Sequence, residues 1–337
     1  MRPRGAATGA AASADVTTRE QNPPMVLVKP RRGASPGSCP TPETSPSSAP
    51  ARDEVLALLR NGSGRRPRFD PGLAGGLRAW LEDAAGELVA ARGEDAPPLF
   101  LGPRLLWTGS AAAADPQTTA GADTSSIELV LSCLVRALFR QVVTVGHVGD
   151  PLSDAMAALQ VDPARAGMAA QIERMSDATR DALSAALDVH AANLLHLTPR
   201  FAPRWLPRTH DRVAIPLAGG RVVLGGVFDL LVGAPVPGMA TLCALGLTTG
   251  GRWAQARTAL HYLALLETLR SGTPPFRVAL LHSAIGRYGV EDVLEEHLRA
   301  VVSHVVAQLA GLAGDGPAPA AALLGGGDWD DRSRISA

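Results

Sequence analysis

The chain has 337 residues, 46% of them hydrophobic, and its 32 basic and 32 acidic side chains give a formal net charge of zero. This neutral balance, with only 4% aromatic residues, excludes the strongly basic composition of proteins that coat nucleic acid along their length. Any contact with DNA must therefore be local, and the length suffices for one large domain or two small ones.

Cysteine usage and hydropathy bear on the compartment. Cys39, Cys133 and Cys243 are widely spaced and odd in number, which excludes a disulfide framework and a CxxC-type zinc site. The most apolar stretch is interrupted by Arg221 and Asp229, so no run reaches the roughly 18 residues that a membrane-spanning helix needs. We therefore expect a cytoplasmic protein with no membrane partner.

Low-complexity segments flank the patterned part of the chain. Residues 1–52, rich in Pro, Ala and Ser, have no apolar period long enough to bury a face and predict a disordered tail. Within them, MVLVKP at 25–30 could pair as a strand, but its flanking prolines favour a mobile tail. Residues 313–337 predict a flexible tail, in which the acidic string DWDD resembles a solvated segment more than a metal site. The domain is thus expected at 53–312, with its core at about 176–312.

The first part of the domain has mostly helical apolar spacing. A helix near 53–59 precedes one at 73–91. Short apolar runs at 98–101 and 105–107 predict strands. Residues 125–143 predict a buried helix, because apolar side chains continue almost all round it.

Helix boundary signals follow. The Asp-Pro pairs at 150–151 and 162–163 predict the starts of short helices that extend to about Met175. A longer helix begins at Ser176, whose hydroxyl can cap free amides, and ends before Pro199.

Beyond Trp205 the apolar period changes from helical to alternating. RVAIPLAGG at 212–220 and RVVLGGVFDLLVG at 221–233 meet at a Gly-Gly turn and predict a β-hairpin. The remaining predicted elements are a strand at 240–247, a helix at 255–270, a strand at 276–282 and a helix at 291–312. This order predicts an α/β fold with helices packed on a mixed sheet.

Four strings in this region carry a family resemblance. They are GVFDLLVG at 226–233, ALGLTTG at 244–250, HYLALLETLRSGTPPFRVA at 261–279 and YGVEDV at 288–293. With the order of elements, they resemble the PD-(D/E)XK nuclease superfamily, specifically the RecB-type nuclease-like proteins of actinobacteria, over roughly 205–293. The resemblance implies a restriction-endonuclease-like core, a mixed central sheet flanked by helices, with an N-terminal helical elaboration.

In that family one strand ends in an aspartate, the next carries an acid and a lysine two residues apart, and the following helix carries Gln and Tyr four apart. Two carboxylates hold Mg²⁺ or Mn²⁺, the metal polarises a phosphodiester, and the lysine helps deprotonate or orient the attacking water. The resemblance places the strand aspartate at Asp229, inside an otherwise apolar strand. A buried carboxylate is costly unless it meets a metal or a hydrogen-bond donor. The structural alternative is that Asp229 accepts hydrogen bonds from a neighbouring backbone or an arginine.

The second strand departs from the family pattern. Gly246 stands at the acid position and Thr248 at the catalytic lysine position. The only lysine of the chain is Lys29, in the N-terminal tail, so none can be borrowed from the core. Arg252 is the nearest cation, and an arginine stays protonated and is a poor proton acceptor. These departures argue against ordinary metal-assisted hydrolysis.

The predicted helix at 255–270 carries one of the two residues of the family's Gln and Tyr motif. Tyr262 matches the family tyrosine, and the glutamine position reads Thr258, whose hydroxyl can reach a phosphate. Tyr262 fits equally well as a packed aromatic residue.

A histidine on the preceding helix is a metal-ligand candidate. In several RecB-type nucleases that helix supplies a ligand, and His190 stands at this place. A single histidine on an amphipathic helix is more often packed than ligating. His190 with Asp229 would leave the site incomplete, since a hard cation prefers further carboxylates.

We expect a nuclease-family protein that binds DNA through a degenerate active site with weak or no cleavage. Asp229, Tyr262 and Thr248 would be the remnant of the catalytic site. The expected DNA contacts are Arg252, Arg257 and Thr258.

Two alternatives stay open. One is an active DNA nuclease dependent on Mg²⁺ or Mn²⁺, in which Glu267 or Glu291 would supply the missing carboxylate. The other is a protein-interaction module on a nuclease fold, consistent with the neutral net charge. A groove rimmed by Arg221, Arg252 and Arg257 would favour nucleic acid, whereas an exposed apolar patch would favour a protein partner.

Overall fold

The structure, a computed structural model, describes residues 26–28, 51–61, 68–93, 95–103, 122–163, 165–236, 238–250 and 253–314. The helices are α1 (Ala51–Asn61), α2 (Leu73–Arg92), α3 (Ala122–Thr144), α4 (Pro151–Gln160), α5 (Ala166–Glu173), α6 (Asp177–Leu197), α7 (Trp253–Ser271) and α8 (Glu295–Gly314). The strands are β1 (Val26–Val28), β2 (Leu99–Leu101), β3 (Arg208–Leu217), β4 (Val222–Val232), β5 (Cys243–Thr248), β6 (Arg277–His282) and β7 (Arg287–Asp292). The strand predicted at 105–107 and most of both predicted tails lie outside these residues.

The strands form one mixed seven-stranded sheet in the order β1-β7-β6-β5-β4-β2, with β3 paired to β4. Strand β4 is antiparallel to β3 and β5, whereas β5 and β6 are parallel. Because β3 follows one edge of β4, the other edge is divided: β2 pairs with 222–224 and β5 with 230–232. The predicted α/β fold with a mixed sheet flanked by helices is therefore confirmed.

Helices cover both faces of the sheet. On one face α2, α7 and α8 pack in a hydrophobic layer that includes Phe228 and Leu231 of β4. On the other face α1 and α3 to α6 pack in a second layer that includes Leu230 and Val232. We call these the α7 layer and the α6 layer. In the part of the chain that the structure describes, no helix combines the length and the apolar character that a membrane crossing requires.

Side chains of β4 alternate between the two faces of the sheet, and this alternation breaks at Asp229. Phe228 and Leu231 both belong to the α7 layer, although three residues apart on a regular strand they would face opposite ways. Opposite this point on β3, His210 has a φ of 55°, in the left-handed region, and it stands between Thr209, which pairs with Leu230, and Asp211, which pairs with Phe228. Such a local distortion re-aims a side chain, as a β-bulge does.

The last helix begins later than predicted, and an unpredicted strand precedes it. The helix predicted at 291–312 begins only at Glu295, and the residues before it form β7. Glu291 therefore lies on a strand, where β6 pairs with it. A strand of only six residues shortly before a helix is hard to recognise, because its apolar residues read as part of the helical apolar pattern.

The short strand β1 also differs from expectation. Val26–Val28 pairs antiparallel with β7, so these residues form a strand and not the mobile segment that the prolines favoured. The flanking prolines stand outside the three paired residues in the sequence.

Candidate functional site

The carboxylate of Asp229 joins β4, β5 and α3. Its Oδ2 accepts the backbone N–H of Leu247 at 2.7 Å, and its Oδ1 accepts Nε–H of Arg136 at 3.0 Å. The ladder between β4 and β5 ends at the pair Leu230 and Leu245, so Asp229 satisfies a backbone donor at the point where the two strands part. This is the structural alternative considered for Asp229: its burial is offset by a backbone donor and an arginine. A metal-binding role of Asp229 stays a prediction.

Arg136, on α3, is a site residue that sequence reasoning missed. Its guanidinium also donates to Ser132 Oγ, one turn earlier on the same helix. The side chain is 38% exposed, while that of Asp229 is 15% exposed, so the pair lies at the edge of the α6 layer. The available signal was a charged residue within the almost wholly apolar string LVRALF. The arginine puts a fixed positive charge beside the carboxylate of Asp229.

Thr248 and His190 meet at the C-terminal ends of the two parallel strands. Ser283, directly after β6, donates its N–H to the carbonyl of Thr248 at 3.0 Å and its hydroxyl to the same oxygen at 3.2 Å. His190 Nδ1 lies 2.8 Å from Ser283 Oγ, and Asn193 Nδ2 donates to the Ser283 carbonyl at 2.6 Å. Ser283 therefore joins α6 to β5, and sequence reasoning did not single it out.

His190 is the buried histidine of this cluster. Its Nδ1 and Ser283 Oγ share a hydrogen bond in which either atom can donate, according to the tautomer of the imidazole. Burial, and then the nearby His282, lower the pKa of His190. The neutral form of the imidazole is therefore favoured at neutral pH.

Asp229, Thr248 and His190 are therefore gathered around one end of β5. Asp229 bonds Leu247, the residue beside Thr248, and His190 reaches Thr248 through Ser283. This end of the sheet is the candidate site.

Tyr262 lies elsewhere, in the α7 layer. Its hydroxyl donates to the carbonyl of Leu101 at 3.1 Å and approaches that of Gly225 at 3.4 Å, just past the last paired residues of β2 and β4. The side chain is fully buried, and burial raises the pKa of Tyr262 well above its ordinary value. Tyr262 thus has the surroundings of a packed aromatic residue, and the structure does not bring it to Asp229.

Glu267 and Glu291, the two candidates for the missing carboxylate, form hydrogen bonds with other residues. Glu267 on α7 accepts Nε–H of Arg270 at 2.8 Å, and Glu291 accepts from Arg257 at 2.9 Å and from His261. Burial raises the pKa of Glu267, and Arg270 offsets part of this increase.

Burial opposes the ionisation of Glu291, yet the hydrogen bonds and charges of His261 and Arg257 outweigh it and lower its pKa. Neither glutamate bonds Asp229 or His190. Over the described ranges, no three His, Cys, Asp or Glu side chains are grouped to hold a metal ion. The predicted Mg²⁺ or Mn²⁺ stays a prediction.

The predicted DNA contacts are largely engaged within the chain. Arg257 gives Nε–H and Nη2–H to Glu291, and Arg221 donates to the carbonyl of Ala96. The hydroxyl of Thr258 donates to Ala254 O at 3.1 Å, one turn back on α7. Arg252 lies outside the described residues.

Gly246, where the sequence resemblance would place an acid, faces the α7 layer. A Cβ added there would lie 3.3 Å from Leu260 Cδ1 and 3.5 Å from Leu280 Cδ1. Such contacts are tight for a methyl group and leave no room for a carboxylate without repacking. The absence of an acid at 246 is therefore matched by local packing.

Comparison of the chain with protein-family models, with curated proteins and with solved structures finds no match.

Proposed function

We propose that this chain is a PD-(D/E)XK-type, RecB-like nuclease-family protein that binds DNA and has lost efficient cleavage. The order of elements supports this: helix α6, antiparallel β3, β4 and β5, helix α7, then β6 parallel to β5. It is the arrangement that the sequence resemblance implies for the nuclease core.

The observation that carries the proposal is the engagement of Asp229 by Leu247 and Arg136. In a working site this carboxylate would bind Mg²⁺ or Mn²⁺, which activates a water and stabilises charge on the phosphodiester. Here a guanidinium supplies the positive charge, and an arginine neither accepts a proton nor holds a metal-bound water. With Gly246 and Thr248 at the other two positions, hydrolysis loses both its metal and its proton acceptor.

A nuclease assay with binding controls tests this proposal. The purified protein is incubated with single-stranded, linear duplex and circular DNA in Mg²⁺ or Mn²⁺, beside Asp229→Ala and a chelated sample. Asp188→Ala, which removes an exposed carboxylate of α6, serves as the matched control. We expect DNA binding that weakens with salt and no cleavage above the chelated sample. Metal-dependent cleavage that disappears with Asp229→Ala and persists with Asp188→Ala would overturn the proposal.

One observation favours a second candidate function, a protein-interaction module on the same fold. Arg221 and Arg257, two of the three arginines expected to rim a DNA groove, bond acceptors of their own chain. Large apolar side chains are meanwhile exposed together at Leu206, Val236 and Met239. Absence of both cleavage and DNA binding in the assay would favour this function.

A further inference from the structure

An apolar groove lies where the segment before β3 meets the segment after β4. Leu206, Pro207, Arg208, Gly233, Ala234 and Pro235 line a cavity of about 310 Å³. Val236 and Met239 continue the apolar surface beyond Pro235 and are 39% and 54% exposed. We call this surface the Leu206 groove. Exposed apolar residues that cluster in this way mark interaction sites, whereas isolated ones do not.

The backbone holds the walls of the Leu206 groove in place. Gly233 donates its N–H to the carbonyl of Trp205 at 2.7 Å, which ties the two walls together. Gly233 has a φ of 104°, and a Cβ there would lie 2.7 Å from the carbonyl oxygen of Thr241. Val236 and Met239 form an antiparallel bridge beside it. The groove is therefore preformed, which lowers the entropy cost of binding.

Arginines stand at the rim of the groove. Arg208 lines it, and Arg204 stands two residues before Leu206 in the sequence. Arg60 of α1 lies 5.2 Å from the ring centre of Trp205, the residue before Leu206. Arg208 pairs with Asp211 at 3.1 Å, but its Nη2 is a buried donor that has no hydrogen-bond acceptor among the described residues. This rim suits an apolar group that carries acidic neighbours.

The chain itself contains a segment of this chemistry. In the string GDWDD at 327–331, Trp329 is flanked by Asp328, Asp330 and Asp331. An indole is a large apolar group with a single polar N–H, suited to a mostly apolar cavity. The other tryptophan outside the described residues, Trp107, stands in the basic and apolar string RLLWTG.

The chain between α8 and the acidic string is long enough to span a domain of this size. Helix α8 ends at Gly314, and the 13 residues at 315–327 separate it from the acidic string. Fully extended, they span at most about 43–47 Å. This distance is comparable with the diameter of a domain of this size.

We propose that the segment 327–331 docks in the Leu206 groove, with Trp329 in the cavity and its neighbouring carboxylates on Arg204 and Arg208. The docked segment covers an apolar surface that a protein partner would otherwise contact. This inference stands apart from the proposed DNA binding, since it uses a different surface.

Fluorine NMR on the full chain labelled with 5-fluorotryptophan tests the docking. Trp329→Phe assigns the resonance of Trp329. We expect that resonance to lie away from the position of a solvent-exposed indole. It should move to that position in Ala234→Phe, which fills the groove, and in Arg204→Glu, which reverses a rim charge. High salt should produce part of the same change, because exposed charges are screened.

Matched controls separate docking from folding. Val189→Phe changes an exposed apolar residue of α6, and the Trp329 resonance should not move. Combining Arg204→Glu with Asp330→Arg should restore the docked resonance. A Trp329 resonance at the exposed position in the unchanged protein would overturn the proposal, as would a docked resonance that is lost on dilution, which would indicate docking between two copies.

Discussion

Asp229 accepts the backbone N–H of Leu247 at 2.7 Å, at the point where β4 and β5 separate. The bond places a carboxylate where the sheet would otherwise leave a donor without a partner, and Arg136 balances its charge. The candidate site therefore has a structural role of its own, whatever it binds.

Removing the Asp229 carboxylate should destabilise the fold. Asp229→Ala leaves the Leu247 N–H and the Arg136 guanidinium without this acceptor, and we expect the free energy of unfolding to fall by about 2–4 kcal/mol. Asp229→Asn should cost less, because its amide oxygen can still accept from Leu247. Urea denaturation measures both variants. Equal losses would contradict the hydrogen bond to Leu247 as the main contribution.

Removing Arg136 should make Asp229 available to a cation. In Arg136→Gln the carboxylate loses its permanent counter-charge, so we expect Mn²⁺ to raise the melting temperature of this variant and not that of the unchanged protein. Arg140→Gln, one turn along α3, is the matched control and should show no response. A metal response of the same size in the unchanged protein would show that Arg136 does not occupy the place of a cation.

Tyr262 should matter for stability and not for DNA binding. Tyr262→Phe removes the hydroxyl that bonds Leu101 and leaves the ring in place, so we expect a loss of about 1–2 kcal/mol in the free energy of unfolding. The affinity for DNA should stay unchanged in a filter-binding or anisotropy titration. A weaker affinity with unchanged stability would instead place Tyr262 in the binding site.

Acidic pH should destabilise the protein through its buried histidines. Burial is the largest cause that lowers the pKa of His190 and of His282. The charge of His282 adds to this effect at His190, and the charge of Arg287 adds to it at His282, where backbone hydrogen bonds act in the opposite direction. The unfolded chain, where histidine has a pKa of about 6.5, therefore takes up protons first as the pH falls. We expect the free energy of unfolding to be level above about pH 7 and to decline as the pH falls through about 6.5.

Urea midpoints between pH 8 and pH 5 measure this decline. His190→Gln should flatten it, because one of the titrating groups is gone. His196→Gln removes an exposed histidine of the same helix and should leave the slope unchanged. The same slope in all three proteins would exclude His190 as a source of the pH dependence.

Introducing an acid at position 246 should not produce a nuclease. A carboxylate there would meet Leu260 and Leu280, so we expect Gly246→Glu to lower the melting temperature without producing cleavage. Thr248→Lys alone, at the partly exposed end of β5, should be tolerated better. The double variant Gly246→Glu/Thr248→Lys should not cleave DNA either, and metal-dependent cleavage by it would show that the packing around Gly246 adapts.

Most elements could be predicted because their signals are local. Ser176 caps α6 by accepting the N–H of Thr179, and Asp150 caps α4 by accepting that of Ser153. The alternating pattern on both sides of a Gly-Gly turn predicted the hairpin of β3 and β4, which the structure contains. The prediction failed where the deciding contact is distant in the sequence. Residues 26–28 form strand β1 because they pair with β7, which lies far along the chain.

The sequence by itself therefore determined the α/β class and most helices and strands, and it places a glycine at 246 and a threonine at 248. Only the tertiary structure decided what Asp229 bonds. Its partner Arg136 lies 93 residues earlier, on helix α3. The spacing of residues in the sequence does not indicate that this arginine meets Asp229. The same holds for His190 and Ser283, 93 residues apart. Capping and periodicity act within a few residues, whereas these contacts depend on how helices pack across the sheet.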